Sequence, residues 1–209
     1  GPMVPRDIKM LGYDAPPPVV DGVPPHAKEF VGQVGRAQAI SQVLLRQKKN
    51  GLNPDVICCH PGWGEGLYLR EIFPKAKLLF FFEFNFEPDG PVIDFDPEYP
   101  NSLSERMGYR VKNAQNLISL DMTDVGISPT HWQWQTFPRE YRDKIRVIHD
   151  GVDTSVVVPN PSARLKFSRS QYPDKVFSAD DEIISFSVRN LEPSRGFHRY
   201  MRTLPKLQK

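Results

Sequence analysis

The chain has 209 residues, a formal net charge of +2 and 39% apolar content, enough for one substantial core and the start of a second. Acidic and basic residues are spread along it, without the basic patch that a duplex nucleic-acid binder needs, so nucleic acid is not expected as a partner. The longest apolar run, residues 78–82, is far too short to cross a bilayer and no charged-then-apolar leader opens the sequence. A cytoplasmic location follows by default.

Gly1-Pro2-Met3 reads as a protease scar followed by a start or cloning methionine, and residues 1–26, rich in proline through Pro16-Pro17-Pro18 and Pro24-Pro25, are read as irregular. From Ala27 the apolar positions Phe30, Val34, Ala37, Ser41 and Leu44 keep a helical period, which Lys48-Lys49-Asn50-Gly51 ends. Val56-Ile57-Cys58-Cys59 predicts a parallel strand buried on both faces. The adjacent cysteines point to opposite sides of that strand and have no second cysteine group, so neither a disulfide nor a metal role is expected. His60 to Gly66 forms a glycine loop, residues 67–72 a helix closed by Pro74, and residues 77–82 the next strand, completing a βαβ unit.

Residues 83–100 make a long acidic connection carrying Glu87, Asp89, Asp94, Asp96 and Glu98, either functional or mobile. Ser102 and Glu105 have the spacing of a capping box for one helix running through Leu103, Met107, Val111, Ala114 and Ile118. A strand at 124–127 follows, then Ser128-Pro129 as cap and first turn of a helix through Trp132 and Trp134, then a strand at 145–148. A domain boundary is placed between Asp153 and Asn160, and residues 159–180, polar and weakly periodic, are read as a linker. A strand at 182–188 and a helix from Phe197 close the chain.

In an open parallel sheet, ligands gather where strands end. The loop His60, Gly62, Trp63, Gly64, Glu65 offers close backbone approach, an imidazole, an indole and a carboxylate, suited to sugar hydroxyls or a phosphate. The bland alternative is glycines that serve tight packing and a histidine satisfied locally. Arg189 and Arg195 bracket a strand-to-helix loop where two guanidiniums could clamp a diphosphate, the alternative being two solvated arginines. Trp132 and Trp134, two apart on a helix, point to different sides, one into the core and one over the surface.

The order of these pieces, from about Ala27 to the C-terminus, resembles the family-4 glycosyltransferases of the GT-B fold. The run from Arg146 through His149-Asp150-Gly151 to Thr154 is similar to that family's exit strand and hinge, and Ser185 to Gly196 to the first strand and loop of its C-terminal domain. Residues 55–65 are similar to a strand and histidine loop that face the acceptor. The resemblance implies a retaining transfer from a nucleotide-sugar donor to a saccharide or lipid-linked acceptor, with Arg189 as the phosphate-binding arginine and Arg195 where a lysine is usual. No cofactor and no metal are expected, since two cations already face the phosphates. An address peripheral to the inner membrane surface is compatible with a lipid-linked acceptor.

Three departures qualify the resemblance. No opening strand, glycine loop and helix precede the proline-rich segment, the chain stops before the family's nucleotide pocket and glutamate pair, and Glu83 stands where many relatives place a histidine. The expected fold class is therefore α/β, a Rossmann-like, mainly parallel sheet with helices on both faces, an incomplete GT-B. Residues 27–158 would form the acceptor-side domain, residues 181–209 the start of the donor side, and the chain alone would be inactive. Glu83 and His60 are weak catalytic candidates. The rival reading is a non-catalytic carbohydrate- or partner-binding module; a hydrolase is disfavoured because no nucleophile elbow is present. A sheet edge left open by missing strands would favour self-association.

Overall fold

The computed structural model describes residues 8–17, 21–87, 90 and 93–207. The reading of Gly1-Pro2-Met3 as a scar, and the roles given to Pro18 and Asp89, lie outside these residues. The chain forms two compact units, residues 1–149 and 150–209, which divide just ahead of the boundary that the sequence suggested.

The first unit is built on four strands, β1 (Val56–Cys59), β2 (Lys77–Phe81), β3 (Val125–Ser128) and β4 (Ile145–Val147). They lie side by side in chain order and every pairing is parallel. Helix α1 (Lys28–Lys49) precedes them, and α2 (Leu69–Ile72), α3 (Leu103–Lys112), α4 (Ala114–Met122) and α5 (His131–Gln135) fill the crossovers. This is the parallel α/β sheet flanked by helices that the sequence predicts, but the expected helical layer on a second face is not seen among the described residues.

The helices gather on one face. Leu78, Phe80 and Phe82 of the β2 segment and Ile145 of β4 pack with Leu69 of α2, Leu120 of α4 and Phe137, while Leu44 of α1 covers the same cluster. Right-handed crossovers that always step in the same direction place their helices on one side, and this strand order contains no reversal. On the opposite face Val56, Cys58 and Val125 are exposed. The expectation that β1 is buried on both faces is thereby corrected, because β1 is an edge strand with one packed side.

Two helix boundaries also differ from the sequence reading. The capping box is present, with Glu105 N–H donating to Ser102 Oγ and Ser102 N–H to the Glu105 carboxylate, but the helix breaks at Asn113. Asn113 turns its amide to the backbone of Phe86 on both sides, accepting from its N–H at 2.8 Å and donating to its carbonyl. The cap of α5 is Thr130, which accepts from Gln133 N–H, rather than Ser128, which is fully buried.

In the second unit, the stretch read as a linker holds an antiparallel hairpin, β5 (Leu165–Arg169) and β6 (Tyr172–Phe177). Phe167 meets Phe177 edge to face at 5.8 Å and Lys166 pairs with Asp174 at 2.6 Å, cross-strand contacts that composition does not reveal. Residues 182–188, predicted as a strand, have no ladder partner among the described residues and are not a strand. They lie against α6 (Phe197–Leu207), where Phe186 stacks on Tyr200 at 4.8 Å and the Tyr200 hydroxyl donates to the Ile184 carbonyl.

At the N-terminal edge of the sheet Asp124 joins three elements. Its carboxylate accepts from Leu78 N–H at 2.9 Å and from Arg70 at 2.6 Å, with Lys77 at 3.3 Å. The Leu78 N–H and the Arg70 guanidinium hold its carboxyl at about 2. A depressed folded-state value means stabilisation that is complete above the ordinary carboxyl range and lost as pH falls toward 2. Asp124→Ala is expected to lower the unfolding free energy at neutral pH by ~1–3 kcal/mol in urea titrations. The gap from wild type should close as the pH falls through that range, and equal stability at neutral pH would contradict the role.

Candidate acceptor site

The loop after β1 is a short 3-10 turn, Pro61–Trp63, and its carbonyls are held by side chains from outside it. Gln115 of α4 donates to the Pro61 carbonyl at 2.8 Å, Gln33 of α1 to the Gly62 carbonyl at 3.0 Å, and Arg36 to the Trp63 carbonyl. Gln33 and Gln115 are 4% and 1% exposed, so both amides act in a nearly dry environment where a lost partner is costly.

Two glycines make the loop possible. A side chain at Gly62 would press on the His60 ring at 2.9 Å, and Gly64, at φ +102°, lies so close to α1 that a Cβ would stand 2.3 Å from the Gln33 carbonyl oxygen. With Gly62 in place, its N–H donates to His60 Nδ1 at 3.1 Å. A neutral ring that accepts at Nδ1 carries its proton on Nε2, and Nε2 lies 3.5 Å from the Glu83 carboxylate at the end of β2.

His60, Gly62 and Glu83 thus meet at the rim of one pocket of about 250 Å³, over the C-terminal ends of β1 and β2. Its walls add Gln33, Lys112, Gln115 and Asn116 and the rings of Phe81, Phe84 and Phe86. The segment after Glu83 is fixed rather than loose at its start. Asn116 donates to the Phe84 carbonyl at 2.8 Å, Thr136 bonds both backbone and side chain of Asn85 at 3.1 Å, and Asn113 holds Phe86. Further along, Asp94 accepts from Asn101 and pairs with Arg106.

The other residues singled out in the sequence sit elsewhere. Trp63 is 62% exposed and outside the pocket. Glu65 accepts a 2.6 Å hydrogen bond from the Tyr13 hydroxyl, which burial and the Glu65 carboxylate together push up to about 12. Burial in β1, reinforced by Glu65 and Cys58, pushes the Cys59 thiol up to about 11 and leaves it a weak nucleophile. Arg189 is exposed, and Arg195 is paired with Glu192 at 2.6 Å in the turn Pro193–Arg195. Gln33, Lys112, Gln115 and Asn116 escaped sequence reasoning because long polar residues on helices ordinarily face solvent. The signal was present in α1, where Gln33 shares the helical stripe of Ala37 and Ser41.

The sequence profile of the glycosyl transferase family 4 group matches residues 2–157. The chain belongs to that family. The match spans the first structural unit and runs a few residues past it. It also includes the proline-rich start that the sequence reading set apart, and the structure accounts for this: Tyr13 reaches Glu65, and Pro16 lies close to Gly35 of α1. No curated protein matches the chain. Among the described residues of this glycosyltransferase domain, no helix is long and apolar enough to cross a membrane.

Gly64→Ala tests the loop geometry directly. The left-handed backbone alone costs a non-glycine residue ~1–2 kcal/mol, and the clash with the Gln33 carbonyl adds to that. The variant is expected to exceed this loss in chemical denaturation, and a loss near zero would mean that the loop does not lie against α1 as described.

Proposed function

We propose that the first unit is the acceptor side of a retaining, GT-B-type glycosyltransferase that takes its sugar from a nucleotide-sugar donor, and that the acceptor, a saccharide or a lipid-linked saccharide, enters the pocket at His60 and Glu83. The observation that carries this reading is the His60–Glu83 pair over a pocket at the C-terminal edge of the sheet, within a family-4 domain. In such a transfer the acceptor oxygen bonds to the anomeric carbon while the bond from that carbon to the phosphate oxygen breaks. The electron pair leaves with the nucleoside diphosphate, and the hydroxyl proton goes to the Glu83 carboxylate. His60, its Nδ1 engaged by Gly62, orients that carboxylate through Nε2–H. Retention is inferred from the family resemblance.

Arg189 and Arg195 would receive the charge of the leaving diphosphate, with Arg195 exchanging Glu192 for a phosphate oxygen. No metal is needed in this scheme, and a cytoplasmic address fits the use of a nucleotide sugar. The chain alone would bind acceptor without transferring to it.

Glu83→Gln, made in a protein whose donor domain is complete, is expected to lower kcat by ~10²–10⁴-fold, the range for a general base. Arg189→Ala should weaken nucleoside diphosphate binding by roughly tenfold to hundredfold in calorimetry. Unchanged kcat would remove Glu83 from the reaction, and unchanged diphosphate affinity would make Arg189 a surface residue. Saccharide binding without transfer from any nucleotide sugar would favour the non-catalytic binding module instead.

A further inference from the structure

Resting on that reading, we propose that the pocket accepts one uncharged sugar ring, the terminal unit of a neutral saccharide acceptor, and rejects a ring that carries a phosphate. Size is the first argument. A volume of about 250 Å³ lies below the ~300–1,000 Å³ of pockets for drug-sized ligands and suits a single ring rather than a disaccharide.

Charge is the second. Among the described lining residues, the charged groups are Glu29, Glu83 and Lys112, with His60 beside Glu83, and there is no arginine. Lys112 is committed twice, 3.6 Å from the Glu29 carboxylate and 4.6 Å over the Phe86 ring. Glu29 and Lys112 balance one another in sign, and the Glu83 carboxylate leaves the described lining with an excess of negative charge. A phosphate carries roughly −1.5 to −2 charge and needs cationic donors. It would meet a carboxylate here instead.

Shape and hydrogen bonding are the third. Phe84 stacks on Trp132 at 5.6 Å and meets Phe86 edge to face at 5.1 Å, while Phe86 stacks on Tyr109 at 5.5 Å. Phe84, braced by Trp132 and by the edge-to-face contact with Phe86, presents a stiff apolar wall to the C–H face of a pyranose. In the same pocket wall, Gln115 spends its Nε2 on the Pro61 carbonyl and on Ser119 Oγ, and its buried Oε1 has no partner. The neutral amides of that wall and the Glu83 carboxylate at its rim suit sugar hydroxyls, which donate and accept without bringing charge.

The test is a titration of the 209-residue chain, followed by amide chemical shifts, with methyl glycosides of glucose, galactose, mannose and N-acetylglucosamine and with the 1- and 6-phosphates of the same sugars. At least one neutral glycoside is expected to shift Phe84, Gln115 and Asn116, with the matching phosphates at least about tenfold weaker, the effect of one adverse charge contact. Glu83→Gln, an exposed position that should not disturb folding, is expected to bring the phosphate and the neutral glycoside toward equal affinity. Phosphates that bind the same residues as tightly as the neutral sugars would overturn the proposal and leave glycosyl transfer intact. A rejection unchanged in Glu83→Gln would overturn the charge argument, and a pocket that no sugar perturbs would overturn the proposal outright. In that last case, transfer from nucleotide sugars by the protein with a complete donor domain decides separately whether the glycosyltransferase reading also fails.

Discussion

Three successive carbonyls, of Pro61, Gly62 and Trp63, are satisfied by side chains that come from two different helices, and the geometry of the site depends on this. A tight turn at a strand end cannot pair its backbone groups in a ladder: the Pro61 carbonyl takes Gly64 N–H at 3.0 Å within the turn, and the Gly62 and Trp63 carbonyls turn to side chains. Gln115 and Gln33 supply the first two from buried positions, and Arg36 supplies the third. Because the carbonyls are fixed, the Gly62 N–H faces back to His60 Nδ1, and the imidazole has one orientation in which Nε2 looks to Glu83. Helix packing is in this way translated into the orientation of the His60 ring toward Glu83.

The sheet delivers the other half of that pair. Phe80 and Phe82 alternate into the core, with Phe82 edge to face against Phe137 at 5.6 Å, so the chain leaves β2 in a fixed register. Glu83 then stands at the strand end on the same edge as the β1 loop, because β1 and β2 are parallel neighbours. Beyond it, Asn113, Asn116 and Thr136 hold the backbone of residues 84–86 as a partner strand would, with side-chain amides and a hydroxyl in place of a ladder. Those bonds keep Phe84 and Phe86 in the pocket wall.

The four strands of the parallel sheet were legible because each is a short apolar run flanked by polar or proline-containing segments, and the capping box at Ser102 announced its helix for a local reason. What failed was tertiary. The helical period continues through Ala114 and Ile118, so the break at Asn113 is invisible until Phe86 is known to lie beside it. The hairpin at 165–177 carries Pro173 and many charges, and only the Phe167–Phe177 and Lys166–Asp174 pairs explain it. Of the residues lining the pocket, His60 and Gly62 were legible from the strand end, and Glu83 from the family resemblance, where many relatives carry a histidine. Gln33, Lys112, Gln115 and Asn116 were missed, since nothing in a single sequence separates a buried, bonded glutamine from a solvated one. Glu65 was chosen for its carboxylate, and that carboxylate belongs to Tyr13.

The central claim is that the pocket between the ends of β1 and β2 holds a sugar. A crystal structure of the chain with the methyl glycoside that binds most tightly would test it most directly. The account predicts one ring lying against Phe84, with a hydroxyl within hydrogen-bond distance of the Glu83 carboxylate. A sugar bound elsewhere, for instance in the cleft lined by Gln38, Gln42 and Tyr68, with the His60–Glu83 pocket left as it is, would contradict it.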